Sequence, residues 1–169
     1  KSIGEVQHLE MLCEDFKPEG EIFDNFLMNT VIPYVENNFP VCTDRQNVAV
    51  CGSSSGGLMS FFSAFEHPEK FGYAGVFSPA FLCYTREDWE KYLSTKIVEN
   101  MPYLYIYTGN GDELEEMIFE STEMLYELLE ESFYPYDRIN EVILFENAHN
   151  EKSWREIFPD FLHTFLSRL

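Results

Sequence analysis

Positive charge is scarce in this sequence: 11 Lys and Arg stand against 30 Asp and Glu, a formal net charge of −19 at pH 7 over 169 residues. A surface this acidic is repelled by phosphate backbones and anionic lipid, so nucleic acid and membranes are unfavourable partners. Long apolar runs are missing as well. The best window, Leu58 to Phe65, is short and broken by serines, far below the roughly 18 residues of a spanning helix. The start, Lys1-Ser2-Ile3-Gly4-Glu5, lacks the apolar stretch of a signal peptide. The four cysteines, Cys13, Cys42, Cys51 and Cys83, form no C-x-x-C pair, which removes zinc ribbons and dithiol redox motifs. Reduced structural thiols lean to a cytoplasmic location, although a secreted form whose signal peptide was cut away before Lys1 would read the same. No repeat, low-complexity tract or Gly/Ser linker interrupts the chain, so residues 1–169 read as one domain.

What is present is ordinary globular material, 45% hydrophobic and rich in aromatics at 17%, enough for one sizeable core. Apolar residues recur near helical period from Ile22 to Asn37, with Pro33 expected to bend or restart that helix. The run Asn47 to Cys51 reads as a strand buried on both faces and therefore central, followed by a helix over Gly56 to Glu66. Further strands are expected at Tyr73 to Phe77, Pro102 to Thr108 and Glu141 to Phe145, with helices at Glu113 to Glu131 and Lys152 to Arg168. Strands alternating with helices predict an α/β fold: a three-layer α/β/α sandwich around a mostly parallel sheet. In such sheets ligands bind beyond the carboxyl ends of the strands, so chemistry is expected just after residues 51, 77, 108 and 145.

Three positions there could carry it. In Gly52-Ser53-Ser54-Ser55-Gly56-Gly57 only Ser54 has glycine at both −2 and +2, the G-x-S-x-G arrangement of a nucleophile elbow. The glycines are expected because the strained strand-to-helix turn brings the backbone on either side too close for side chains. An anion cradle or a plain tight turn competes, but the segment lacks the Gly-Lys-Ser/Thr ending of a P-loop and the G-x-G-x-x-G of a dinucleotide site. The backbone N–H of Ser55, opening the helix, is the expected oxyanion donor. Asp112 follows a strand and precedes a helix, as an orienting acid would; a capping role explains it equally well, and Glu113 is the fallback acid. His149 lies in the loop after the last strand, whereas His8, His67 and His163 are poorly placed. The order Ser54, Asp112, His149 is that of the Ser…Asp/Glu…His hydrolases.

These residues resemble the esterase D-like branch of the α/β-hydrolases, which includes feruloyl, acetyl xylan and enterochelin esterases. The resemblance runs from about residue 22 to the end. It rests on Ile32-Pro33, the segment Gly52 to Leu58, His67-Pro68-Glu69-Lys70-Phe71-Gly72, Phe77-Ser78-Pro79-Ala80, Tyr107-Thr108-Gly109 with Asp112, and Ala148-His149-Asn150 with Trp154. It implies a serine carboxylesterase without a cofactor, acting on an ester of a sugar or other small alcohol, with Ser54, Asp112 and His149 as its triad. The departure is at the front. Such proteins have several strands ahead of the elbow strand, and the 46 residues before Asn47 cannot hold them at about 30 residues per βαβ unit. The chain is therefore expected to be either the carboxyl-terminal portion of the full fold or a shortened homologue, in both cases with an unpaired sheet edge that favours association with another copy. An acyltransferase using the same triad, or a non-catalytic binding domain on this fold, are the alternative readings.

Overall fold

A computed structural model of the chain describes residues 19–96 and 100–168. Four strands, β1 (Ala49–Ser53), β2 (Tyr73–Phe77), β3 (Tyr103–Thr108) and β4 (Ile139–Ile143), form one sheet in the order β1-β2-β3-β4, with every pairing parallel. The helices are α1 (Gly20–Phe26), α2 (Ile32–Asn38), α3 (Ser55–Glu66), α4 (Arg86–Lys96), α5 (Glu113–Glu131) and α6 (Glu151–Leu166).

The alternation of side chains along the strands sorts the core into two layers. Ala74, Val76, Leu104 and Ile106 face one side, where they pack with Phe61 and Phe65 of α3, Trp89 and Leu93 of α4, and Leu125, Leu128 and Leu129 of α5. Their neighbours Phe77, Tyr103, Tyr105 and Tyr107 face the other side and meet Ile157 and Phe161 of α6. Period-2 alternation between small aliphatics and tyrosines thus fills both faces and makes the three-layer α/β arrangement. The Tyr105 hydroxyl, carried into the α6 layer, donates to Asp160 at 2.5 Å, so the ring is buried and its polar tip satisfied.

The helix restarts at Pro33 as expected: α1 passes through a π-helical stretch at Leu27–Val31 into α2, whose first turn holds the proline. The wider turn accommodates the proline, which has no N–H to give and would crowd the carbonyl four residues back. One sequence expectation needs correction: the strand placed at 47–51 runs over Ala49–Ser53 and is not buried on both faces but half-buried, with Cys51 exposed. Among the described residues it has a neighbour on one side only, which leaves the unpaired sheet edge expected of this chain. A groove of about 380 Å³ runs along that edge, lined mostly by apolar side chains such as Ile32, Val35, Val48, Phe158, Leu162 and Phe165.

Glu141 on β4 has one carboxylate oxygen closed off from solvent without a hydrogen-bond partner. Burial, then the adjacent Glu123 carboxylate, lifts its pKa from the ordinary 4.5 to about 7. A carboxyl raised on folding binds more proton in the native than in the unfolded chain, so stability falls as pH rises from about 4.5 to about 7. Glu141→Gln is therefore expected to raise Tm at pH 8 and leave it unchanged near pH 4, measured by calorimetry. A lower Tm at pH 8 would contradict this.

Candidate active site

β1 ends at Ser53 and α3 begins at Ser55, so the chain turns from strand to helix on Ser54 alone, at φ 58° and ψ −122°. A non-glycine residue in this region costs on the order of 1–3 kcal/mol and needs a surround that imposes it. That surround is the end of β2 and the loop after it: the Ser54 N–H donates to the Phe77 carbonyl at 2.9 Å, and the Ser54 carbonyl accepts from the Ala80 N–H at 3.1 Å. A Cβ on Gly52 would lie 2.6 Å from the Gly56 carbonyl oxygen, and one on Gly57 2.7 Å from the Phe77 carbonyl oxygen. A Cβ on Gly56 would meet open space. Close approach thus requires Gly52 and Gly57, and not the +2 glycine that the motif singles out.

His149 stands in the loop between β4 and α6, pinned to the end of β3. Leu144 N–H donates to the Thr108 carbonyl at 3.1 Å, Gly111 N–H to the Asn147 carbonyl at 2.8 Å, and the Asn147 amide to the Tyr107 hydroxyl at 3.1 Å. This brings His149 Nε2 to 3.0 Å from Ser54 Oγ across 95 residues of sequence. The other ring nitrogen, Nδ1, lies 2.7 Å from Oε2 of Glu115.

Asp112 and Glu113 do not meet the imidazole. Asp112 is the N-cap of α5: one carboxylate oxygen accepts the Glu115 N–H at 2.8 Å, and the other accepts the backbone N–H of His149 at 2.7 Å. These two backbone donors hold its carboxyl below the ordinary carboxylate range. Glu113 opens α5 on the surface. The acid beside the ring is Glu115, fully buried. The physical reason is helical phase. The N-cap side chain is spent on the helix's own free N–H groups, whereas the third helical residue points inward with Ile118, Thr122, Leu125 and Leu129. In sequence, Asp112-x-x-Glu115 looks like a capping box. The detectable signal was that Glu115 falls on the apolar stripe of its helix.

A buried carboxylate must be compensated by donors. Glu115 has three: His149 Nδ1–H, the Ser78 hydroxyl at 2.6 Å and the Gly109 N–H at 2.8 Å. Accepting from Nδ1–H leaves Nε2 as the acceptor facing Ser54. Ser55 begins α3, so its N–H is one of the helix-terminal donors without an intrahelical acceptor.

Residues 12–165 match the family described as "Putative esterase". Over 107 residues the chain is 32% identical to an endo-1,4-beta-xylanase/feruloyl esterase of Xylanibacter ruminicola, covering 63% of this chain and 13% of that protein. An uncharacterized protein of Bacillus subtilis is 24% identical over 128 residues, covering 74% and 51%. The chain thus spans about half or less of these curated relatives. Among solved structures, the enterochelin esterase of Shigella flexneri superposes with a TM-score of 0.71 at 20% identity, over 85% of this chain and 36% of that one. A ferulic acid esterase of Anaeromyces mucronatus gives 0.63 at 21%, over 87% and 56%. The fold is that of the α/β-hydrolase esterases. With residues 12–165, nearly its whole length, matched, the chain belongs to the putative esterase family.

Proposed function

We propose that this chain is the catalytic portion of a serine carboxylic ester hydrolase, with Ser54 as nucleophile, His149 as general base and acid, and Glu115 in the role expected of Asp112. The observation that carries the reading is the unbroken line Ser54 Oγ, His149, Glu115 at 3.0 and 2.7 Å, beginning on a serine held at φ 58°. Ser54 Oγ attacks the ester carbonyl while its proton passes to Nε2. The imidazolium so formed is stabilised by Glu115 through Nδ1–H, and the Ser55 N–H faces the developing oxyanion. Nε2 then returns the proton to the leaving alcohol, and water repeats the sequence on the acyl-enzyme.

For substrate we propose a neutral ester of an aromatic or acetyl acid with a sugar or small alcohol. The feruloyl esterase relative supports that choice, and a net charge of −19 disfavours anionic esters. The test is a product assay on methyl ferulate and nitrophenyl acetate, with and without an added alcohol. Release of free acid is expected. Acyl transfer to the alcohol in preference to water would make the protein an acyltransferase, and no turnover of either ester would leave a non-catalytic domain.

A further inference from the structure

We infer that Ser78 and Trp154 are positioning residues that hold the Glu115 carboxylate in place for His149, an inference that rests on the triad reading above. Ser78 follows β2 and is wholly buried. Its hydroxyl donates to Glu115 Oε1 at 2.6 Å and accepts the Trp154 indole N–H at 2.9 Å. Trp154 lies in the first turns of α6, and its ring stands edge-on to the imidazole, 5.0 Å between centroids at 89°. The line therefore ties β2, α5 and α6 together around one acid.

Its direction is chemically fixed. An indole N–H can only donate, an ionised carboxylate can only accept, and the hydroxyl between them has a single proton. That proton must go to Oε1, which leaves Oε2 free to accept from His149 Nδ1–H. Ser78 itself sits at φ 40°, a conformation that glycine adopts freely and other residues do not. A side chain at this position is explained by what its hydroxyl does. The Ser78 N–H donates to the Tyr107 carbonyl at 2.7 Å, so the strained residue is also fastened to β3.

The variants that read this are Ser78→Gly, which loses the hydroxyl and relieves the backbone, and Trp154→Phe, which keeps a ring but loses the N–H. Both are compared with the unmodified chain by kcat, KM, the pH–rate profile and proton NMR of the hydrogen-bonded imidazole proton. The hydrogen-bond partners that orient metal-bound ligands are worth about 10- to 100-fold, and a loss of similar size is expected for partners that orient this acid. Ser78→Gly is expected to lose that much in kcat with KM nearly unchanged, and Trp154→Phe a smaller amount. Losing a donor makes the carboxylate a stronger acceptor, so in both variants the acid limb of the profile moves to higher pH and the Nδ1 proton moves downfield. A loss of kcat with limb and resonance unmoved would mark a merely structural role and overturn the proposal, as would unchanged kcat. Should Ser78→Gly fail to fold, Trp154→Phe decides alone by the same criteria. The resonance is read without substrate. An unmodified protein that hydrolyses nothing, yet shows the expected shifts, would refute the esterase reading and leave the positioning chain standing.

Discussion

Ser54→Ala is expected to lower ester turnover on the order of 10⁶-fold, the size of effect seen when a serine hydrolase loses its nucleophile. The fold should survive, because Ser54 is only half-buried and the turn is held by backbone contacts to Phe77 and Ala80 that alanine retains. Circular dichroism and the thermal midpoint should therefore stay close to those of the unmodified chain. Ser55→Ala serves as the control. The role proposed for it uses only its backbone N–H, so turnover should change by no more than a few-fold. If Ser54→Ala stayed active while Ser55→Ala did not, the nucleophile would be reassigned.

Glu115→Gln is expected to lower kcat about 10⁴-fold, the magnitude reported when an orienting carboxylate becomes an amide and the imidazole takes the other tautomer. Asp112→Ala should act differently. It removes an N-cap, about 1 kcal/mol of stability, and the acceptor of the His149 N–H, so a lower thermal midpoint and a much smaller loss of turnover are expected. The pH signs separate the two as well. Asp112 has its pKa depressed, so what its carboxylate contributes is present above its unfolded value and lost only as pH falls through the still lower folded one. Loss of activity between neutral pH and pH 5 is therefore not the cap failing. A larger kcat loss for Asp112→Ala than for Glu115→Gln would reverse the assignment of the acid.

Where the sequence could be read well, one interaction dominated. A short apolar run closed off before Pro79 marks β2, and the long amphipathic stripe marks α5; both begin and end where expected. β4 begins two residues earlier than the apolar run suggested, because Leu144 and Phe145 belong to the exposed loop that carries His149. Helix α4 went unread because its short stripe of Trp89, Tyr92 and Leu93 is set among charged residues. In the site, Ser54 and His149 follow from glycine spacing and from strand-end placement. Glu115 is harder to read, because Asp112, Glu113 and Glu115 crowd one helix start and only the phase of the apolar stripe through Ile118, Thr122, Leu125 and Leu129 singles out the carboxylate that turns inward.

Fluorophosphonate labelling followed by peptide mass spectrometry separates Ser54 from every other serine. A single phosphonylated residue, Ser54, is expected in the native chain and almost no labelling of the His149→Ala variant, since without the base the hydroxyl is an ordinary one. Labelling on Ser55 or another serine, or none at all in a correctly folded protein, would contradict the assignment of Ser54 as nucleophile.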